Sequence, residues 1–135
     1  LAKDLLFIRK LEPSMVGIGP FIPHHETPFA KEKKGTLELT LFMLGLLRVM
    51  LPNLLLPATT ALGSIVEGGR EQGVLAGANV IMPNLSPTDV REKYMIYDNK
   101  LISGAETAEN LEELKRSMGK IGYNIVIDRG DAKKL

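Results

Sequence analysis

The sequence predicts an α/β fold organised on a parallel sheet, and three observations predict it. Met15-Val-Gly-Ile-Gly19, residues 54–58 and residues 79–82 are short, continuous apolar runs without polar alternation, the pattern of strands covered on both faces. Stretches of helical periodicity separate them, so strand and helix alternate from residue 15 to residue 127. Residues 54–84 hold a complete strand, turn, helix and strand, with strand ends about 22 residues apart, enough for one βα unit. Three such units suit a barrel. In sheets of this kind chemistry collects at the carboxyl ends of the strands, which here carry Thr59 and Thr60 in one case and Met82, Pro83 and Asn84 in the other.

In chain order, Leu1, Leu5, Ile8 and Leu11 recur at helical spacing until Pro13 ends the helix. Residues 15–19 form the first strand, in which Gly17 and Gly19 admit close approach of another backbone or a ligand. Pro20, Pro23 and Pro28 then fix an extended loop, a plausible wall of a site, and residues 31–35 are a solvated turn. Thr36 caps a helix over residues 37–50, with Glu38 favouring its N-terminus. That helix is apolar on nearly every face, so it is expected to be buried between neighbours. After the strand at 54–58, Gly63 or Ser64 opens a helix with Glu67-Gly-Gly-Arg70 in or just before its first turn, and Gly77 terminates it. Ser86-Pro-Thr-Asp89 starts a helix carrying Arg91, Tyr94 and Tyr97, and residues 99–106 are irregular. Thr107 caps an amphipathic helix through Leu111, Leu114 and Met118 to Gly122; residues 123–127 read as a strand and 128–135 as a charged, frayed tail.

The 135 residues suit one domain. The opening on Leu1, inside a helical pattern without a cap, reads as a segment of a longer chain. With 17 basic and 16 acidic residues there is no electrostatic footprint for nucleic acid or an anionic membrane. The apolar helix at 37–50 falls short of the roughly 20 residues that a bilayer requires. Nothing at the start resembles a signal peptide, so the expected compartment is the cytoplasm. The chain has no cysteine, which excludes disulfides and thiolate-held metal clusters within it.

Several groupings could carry chemistry, and each has a plain alternative. His24 and His25 are adjacent, so in an extended loop they point to opposite sides and suit solvent or a cofactor better than one shared metal. Gly17-Ile-Gly19 is half a dinucleotide fingerprint without its third glycine or its helix, and room for an adenine edge is the better reading. Gly68-Gly69-Arg70 could hold an anion, or be a glycine turn with a surface arginine. The hydroxyls of Thr59 and Thr60 could donate to an anion or satisfy local backbone, and taken alone the second reading wins. Tyr94 and Tyr97 share a helix face, where aromatic packing is the simpler account. Arg129-Gly-Asp131 spells an adhesion tripeptide by chance.

The wording goes further than the spacing. MVGIGPFIPHHETPF, PATTALG, GGREQGVLAGANVIMPNLSP and REKYMIYDNK together resemble the radical S-adenosylmethionine enzymes of the biotin-synthase branch, and within it the members that mature FeFe hydrogenases. The resemblance runs to about residue 100 and weakens beyond Ile102. It implies the C-terminal half of a (β/α)8 TIM-type barrel with parallel strands over residues 1–127, including the biotin and thiamin synthesis associated region from about residue 50, and then the tail. It also implies S-adenosylmethionine and a 4Fe–4S cluster in the complete protein, the cluster held by a CxxxCxxC loop in the first half of the barrel. The cysteines that many members carry after the tyrosine helix are absent here as well.

By the same resemblance, Met15, Thr59, Thr60, Met82 and Tyr94 line the substrate cavity, with the two threonines and the tyrosine holding a carboxylate. Gly17, Gly19, Pro20 and His24 lie on the adenosyl side. The implied partners are the N-terminal half of the barrel, a small anionic sulfur-containing or iron-bound substrate, and other hydrogenase maturases. The enzymatic alternative is a methylornithine synthase or biotin synthase. The alternative from another class is a non-catalytic half-barrel that binds a small anion, and an in-frame CxxxCxxC loop upstream would decide against it.

Overall fold

The structure, a computed structural model, describes residues 1–87, 89, 90, 93 and 110–132. Helix α1 spans Ala2–Leu11 and closes on Glu12, whose φ of 47° places it in the left-handed region directly before Pro13. Leu5 and Ile8 pack against the core while Leu6 and Phe7 face outward. Helix α2, Leu37–Met50, starts as the sequence predicts: Leu39 N donates to Thr36 Oγ1 at 3.2 Å, and Glu38 lies in the first turn. Its inner face buries Thr40, Leu44 and Leu47. The expectation that α2 is covered all round is not met. Phe42 is 62% exposed and Val49 79% exposed, so one apolar face of the helix is open.

Three extended segments pair in parallel, Met15 with Leu55 and Pro57 with Val80. The central segment is the heart of the core, with Leu54, Leu56 and Ala58 buried beside Leu44, Leu47, Leu62 and Val74. Pairing is far briefer than three full strands, and two residues explain it. Leu55 uses both its backbone groups on the first segment, donating to Ser14 O and accepting from Val16 N. The next rung on that side would need an N–H from Pro57, which has none. On the other side Val80 N donates to Leu56 O and Ala58 N to Val80 O, a rung that needs no N–H from Pro57. There the Asn79 side chain intervenes, its Oδ1 accepting from Leu56 N at 2.8 Å.

The single helix expected from residue 63 is two. Helix α3, Thr60–Ile65, begins directly after the central segment, and helix α4, Gly69–Leu75, follows a turn through Gly68 at φ 71°. Gly69 crosses α3 so closely that a Cβ on it would stand 2.1 Å from Leu62 O, so the second glycine is a packing requirement. Helix α5, Leu111–Lys120, seats Leu114 and Met118 in the core, and Ser117 Oγ donates to the Glu71 carboxylate on α4. Residues 123–127, expected as a strand, carry no strand pairing among the described residues: Ile125 packs on the core, while Val126 and Ile127 are both 81% exposed. At Ser86-Pro-Thr-Asp89 only a turn is described, Val90 N donating to Pro87 O at 3.2 Å. The expected tyrosine helix with Tyr94 and Tyr97, residues 99–106 and the Thr107 cap lie outside the described residues. Among the described residues no helix is long and apolar enough to cross a membrane.

Candidate functional site

Register places the strand ends. Counted on from the Met15–Leu55 and Pro57–Val80 bridges, the register assigns Gly19, Thr59 and Met82 to one row at the carboxyl ends. The contact between the first two agrees with this, since a Cβ on Gly19 would lie 2.9 Å from Thr59 Oγ1. Met15 stands four residues lower on the first segment, about 13 Å along it at the usual rise. Tyr94 lies outside the described residues.

Thr59 is the N-cap residue of α3, yet its side chain makes no cap hydrogen bond. Its Oγ1 is shut off from solvent and has no hydrogen-bond partner among the described residues. The plain alternative for this residue, a hydroxyl spent on local backbone, is thus not what the fold shows. Thr60 opens α3 and is half-buried, and its carbonyl accepts from Ser64 Oγ at 3.1 Å. Met82 is exposed at its end of the row.

Beside the row lies an apolar cavity of about 460 Å³. Gly17, Gly19 and Pro20 form one wall, and Leu39, Thr40 and Met43 of α2 form the other. Its volume falls within the range of small-molecule pockets. Nothing stands within 4 Å of where a Cβ on Gly17 would be, so the first segment presents bare backbone on that side. Three of the four residues expected on the adenosyl side are therefore together.

His24 is not on the cavity wall. Its Nδ1 accepts from Glu26 N at 3.1 Å, and its carbonyl accepts from Thr27 N and Thr27 Oγ1, so it organises its own loop. The two histidines do not point to opposite sides: their rings stack, 4.6 Å apart and 18° from parallel, because residues 24–27 form a tight turn and not an extended strand. The loop is shut at its neck by Gly35 N donating to Phe21 O at 2.8 Å, and Phe21 meets Phe29 edge to face. Among the described residues no group of three or more His, Asp or Glu could hold a metal ion, and the chain has no cysteine to supply a thiolate.

Two arginines behave differently from a surface reading. Arg70 is only 3% exposed, so it is part of the packed interior at α4 and not a surface side chain. Arg48, which the sequence did not single out, ties two loops: Nε donates to Gly77 O at 2.9 Å and Nη1 to Pro52 O at 2.6 Å. Burial lowers its pKa from the ordinary arginine value. Asn79 was equally inconspicuous; its position at the start of an apolar run was the available signal.

No protein-family model matches the chain. It is 54% identical over 101 residues to the [FeFe] hydrogenase maturase subunit HydE of Thermotoga maritima, a match covering 75% of this chain. The chain spans 29% of the length of that relative.

Proposed function

We propose that this chain, a close relative of HydE over three quarters of its length, is the pocket-forming C-terminal half of a (β/α)8 barrel in a radical S-adenosylmethionine hydrogenase maturase. The observation that carries the reading is the hydroxyl of Thr59, buried without a partner among the described residues at the end of the central segment and against Gly19. Buried hydroxyls are almost always bonded, and one left over at a strand end is a donor held for something not yet present. The bare backbone at Gly17 and the cavity beside it supply the second component, a wall for an adenosyl group.

When bound, S-adenosylmethionine with a 4Fe–4S cluster supplies one-electron, hydrogen-abstracting chemistry; the cluster's ligands are not in this chain. The chain's own residues do the positioning. Gly17, Gly19 and Pro20 exclude water from one face of the adenosyl side. Thr59 and Thr60, with Tyr94, hold the carboxylate of a small sulfur-containing or iron-bound substrate, and Met82 gives it an apolar flank. The partners are the N-terminal half of the barrel and the other maturases that exchange the substrate.

The test is Thr59→Val in a protein carrying both barrel halves, with L-cysteine as the probe. Valine keeps the shape and removes the donor. Loss of a hydrogen bond to a charged group predicts a fall in affinity of about 10- to 150-fold, or roughly 1.5–3 kcal/mol. Unchanged binding would remove the anion role from Thr59.

A further inference from the structure

Gly19 and Thr59 touch where the cavity wall meets the row of strand ends. A Cβ on Gly19 would lie 2.9 Å from Thr59 Oγ1, and its next neighbours, Ala61 Cβ and Thr59 Cβ, are both at 3.7 Å. The one severe contact of an added methyl is therefore with the hydroxyl. The hydroxyl in turn is covered and, among the described residues, unbonded, and swinging out from beside Gly19 would bring it within reach of a ligand.

We propose that Gly19 is a positioning residue for the anion site: its missing side chain is the space in which Thr59 turns about χ1, from a covered rotamer without ligand to one that offers the hydroxyl to a carboxylate. Threonine exchanges hydroxyl and methyl between staggered positions in such a turn, and against a glycine either atom fits. Against a Cβ the hydroxyl is too close, at 2.9 Å, and the larger methyl turned into its place would be closer still. Among the described residues no ladder bond ties Thr59 to the first segment at this level, because Pro57 ends that pairing after Leu55. This inference rests on the reading of Thr59 as an anion donor.

A double-mutant cycle with Gly19→Ala and Thr59→Ala tests it, measuring L-cysteine affinity by calorimetry on the protein with both barrel halves. Gly19→Ala should weaken binding about tenfold with Thr59 present and leave it unchanged when Thr59 is already alanine. A direct readout accompanies it: the χ1-dependent couplings of a 13C-labelled Thr59 methyl should change on titration in the parent protein and stay fixed in Gly19→Ala. If Thr59→Ala alone binds normally, the anion-site reading fails. If Thr59→Ala weakens binding and Gly19→Ala adds its full loss on top, or the couplings never change, the site stands and this inference is overturned. Should Gly19→Ala fail to fold, folding of the double variant would support the contact, and failure of both would overturn it.

Discussion

Arg48 and Gly77 lock together across 29 residues: Arg48 Nε donates to the Gly77 carbonyl at 2.9 Å, and a Cβ on Gly77 would press on Arg48 Cβ at 2.8 Å. The end of α2 and the turn after α4 thus share one contact below the central segment. Gly77 has a φ of 121°, where a side chain is strained whatever the space.

Gly77→Ala should lose about 1–3 kcal/mol of stability, from backbone strain together with the displaced arginine stem. Arg48→Met keeps the stem and leaves the part-buried Gly77 carbonyl unmet, while the exposed Pro52 carbonyl turns to water, and should cost about 1–3 kcal/mol. Urea unfolding measures both. The two losses should be less than additive, because each variant breaks the same contact.

Thr59→Val makes a prediction of opposite sign. Its hydroxyl is buried without a partner, so removing it should leave stability unchanged or raise it by up to about 1 kcal/mol. A fall in melting temperature would show that the hydroxyl serves the backbone after all.

Asn79→Leu deletes the acceptor of Leu56 N, the amide of a fully buried residue at the edge of whose segment Asn79 stands exposed. Stability should drop by about 1–3 kcal/mol, the range for a buried amide left unsatisfied. Native-state hydrogen exchange should show the Leu56 amide losing protection while that of Val16 keeps it.

The open face of α2 exposes Phe42 and Val49, and α1 exposes Leu6 and Phe7. Taken without further covering, this surface should make the chain self-associate and bind a hydrophobic dye. Sedimentation of Phe42→Lys with Val49→Glu should shift the chain toward monomer without loss of helix content. Unchanged association would place the sticky surface elsewhere.

What was legible in the sequence followed from local rules. Thr36 as a cap, Pro13 as a stop and the apolar run at 54–58 each depend on neighbours a few residues away, and each is where the spacing put it. The split between α3 and α4 was not legible, because Glu67-Gly-Gly-Arg70 fits a first turn as well as a break; what decides is the close crossing of Gly69 over Leu62. The same holds for the histidines, whose stacking depends on the turn at Thr27. At the candidate site, composition placed Thr59 at a strand end, but the idle state of its hydroxyl is a property of packing.

Pro57 makes the central segment one-sided. It completes a rung toward Val80 and denies one toward the first segment, which remains fastened only around Met15. Beyond that point the first segment is held by packing and not by ladder bonds: Ile18 rests on the core, Pro20 is buried, and Phe21 O accepts from Gly35 N. The stiffness of this wall is set from across the sheet, by a residue that forms no part of the cavity lining.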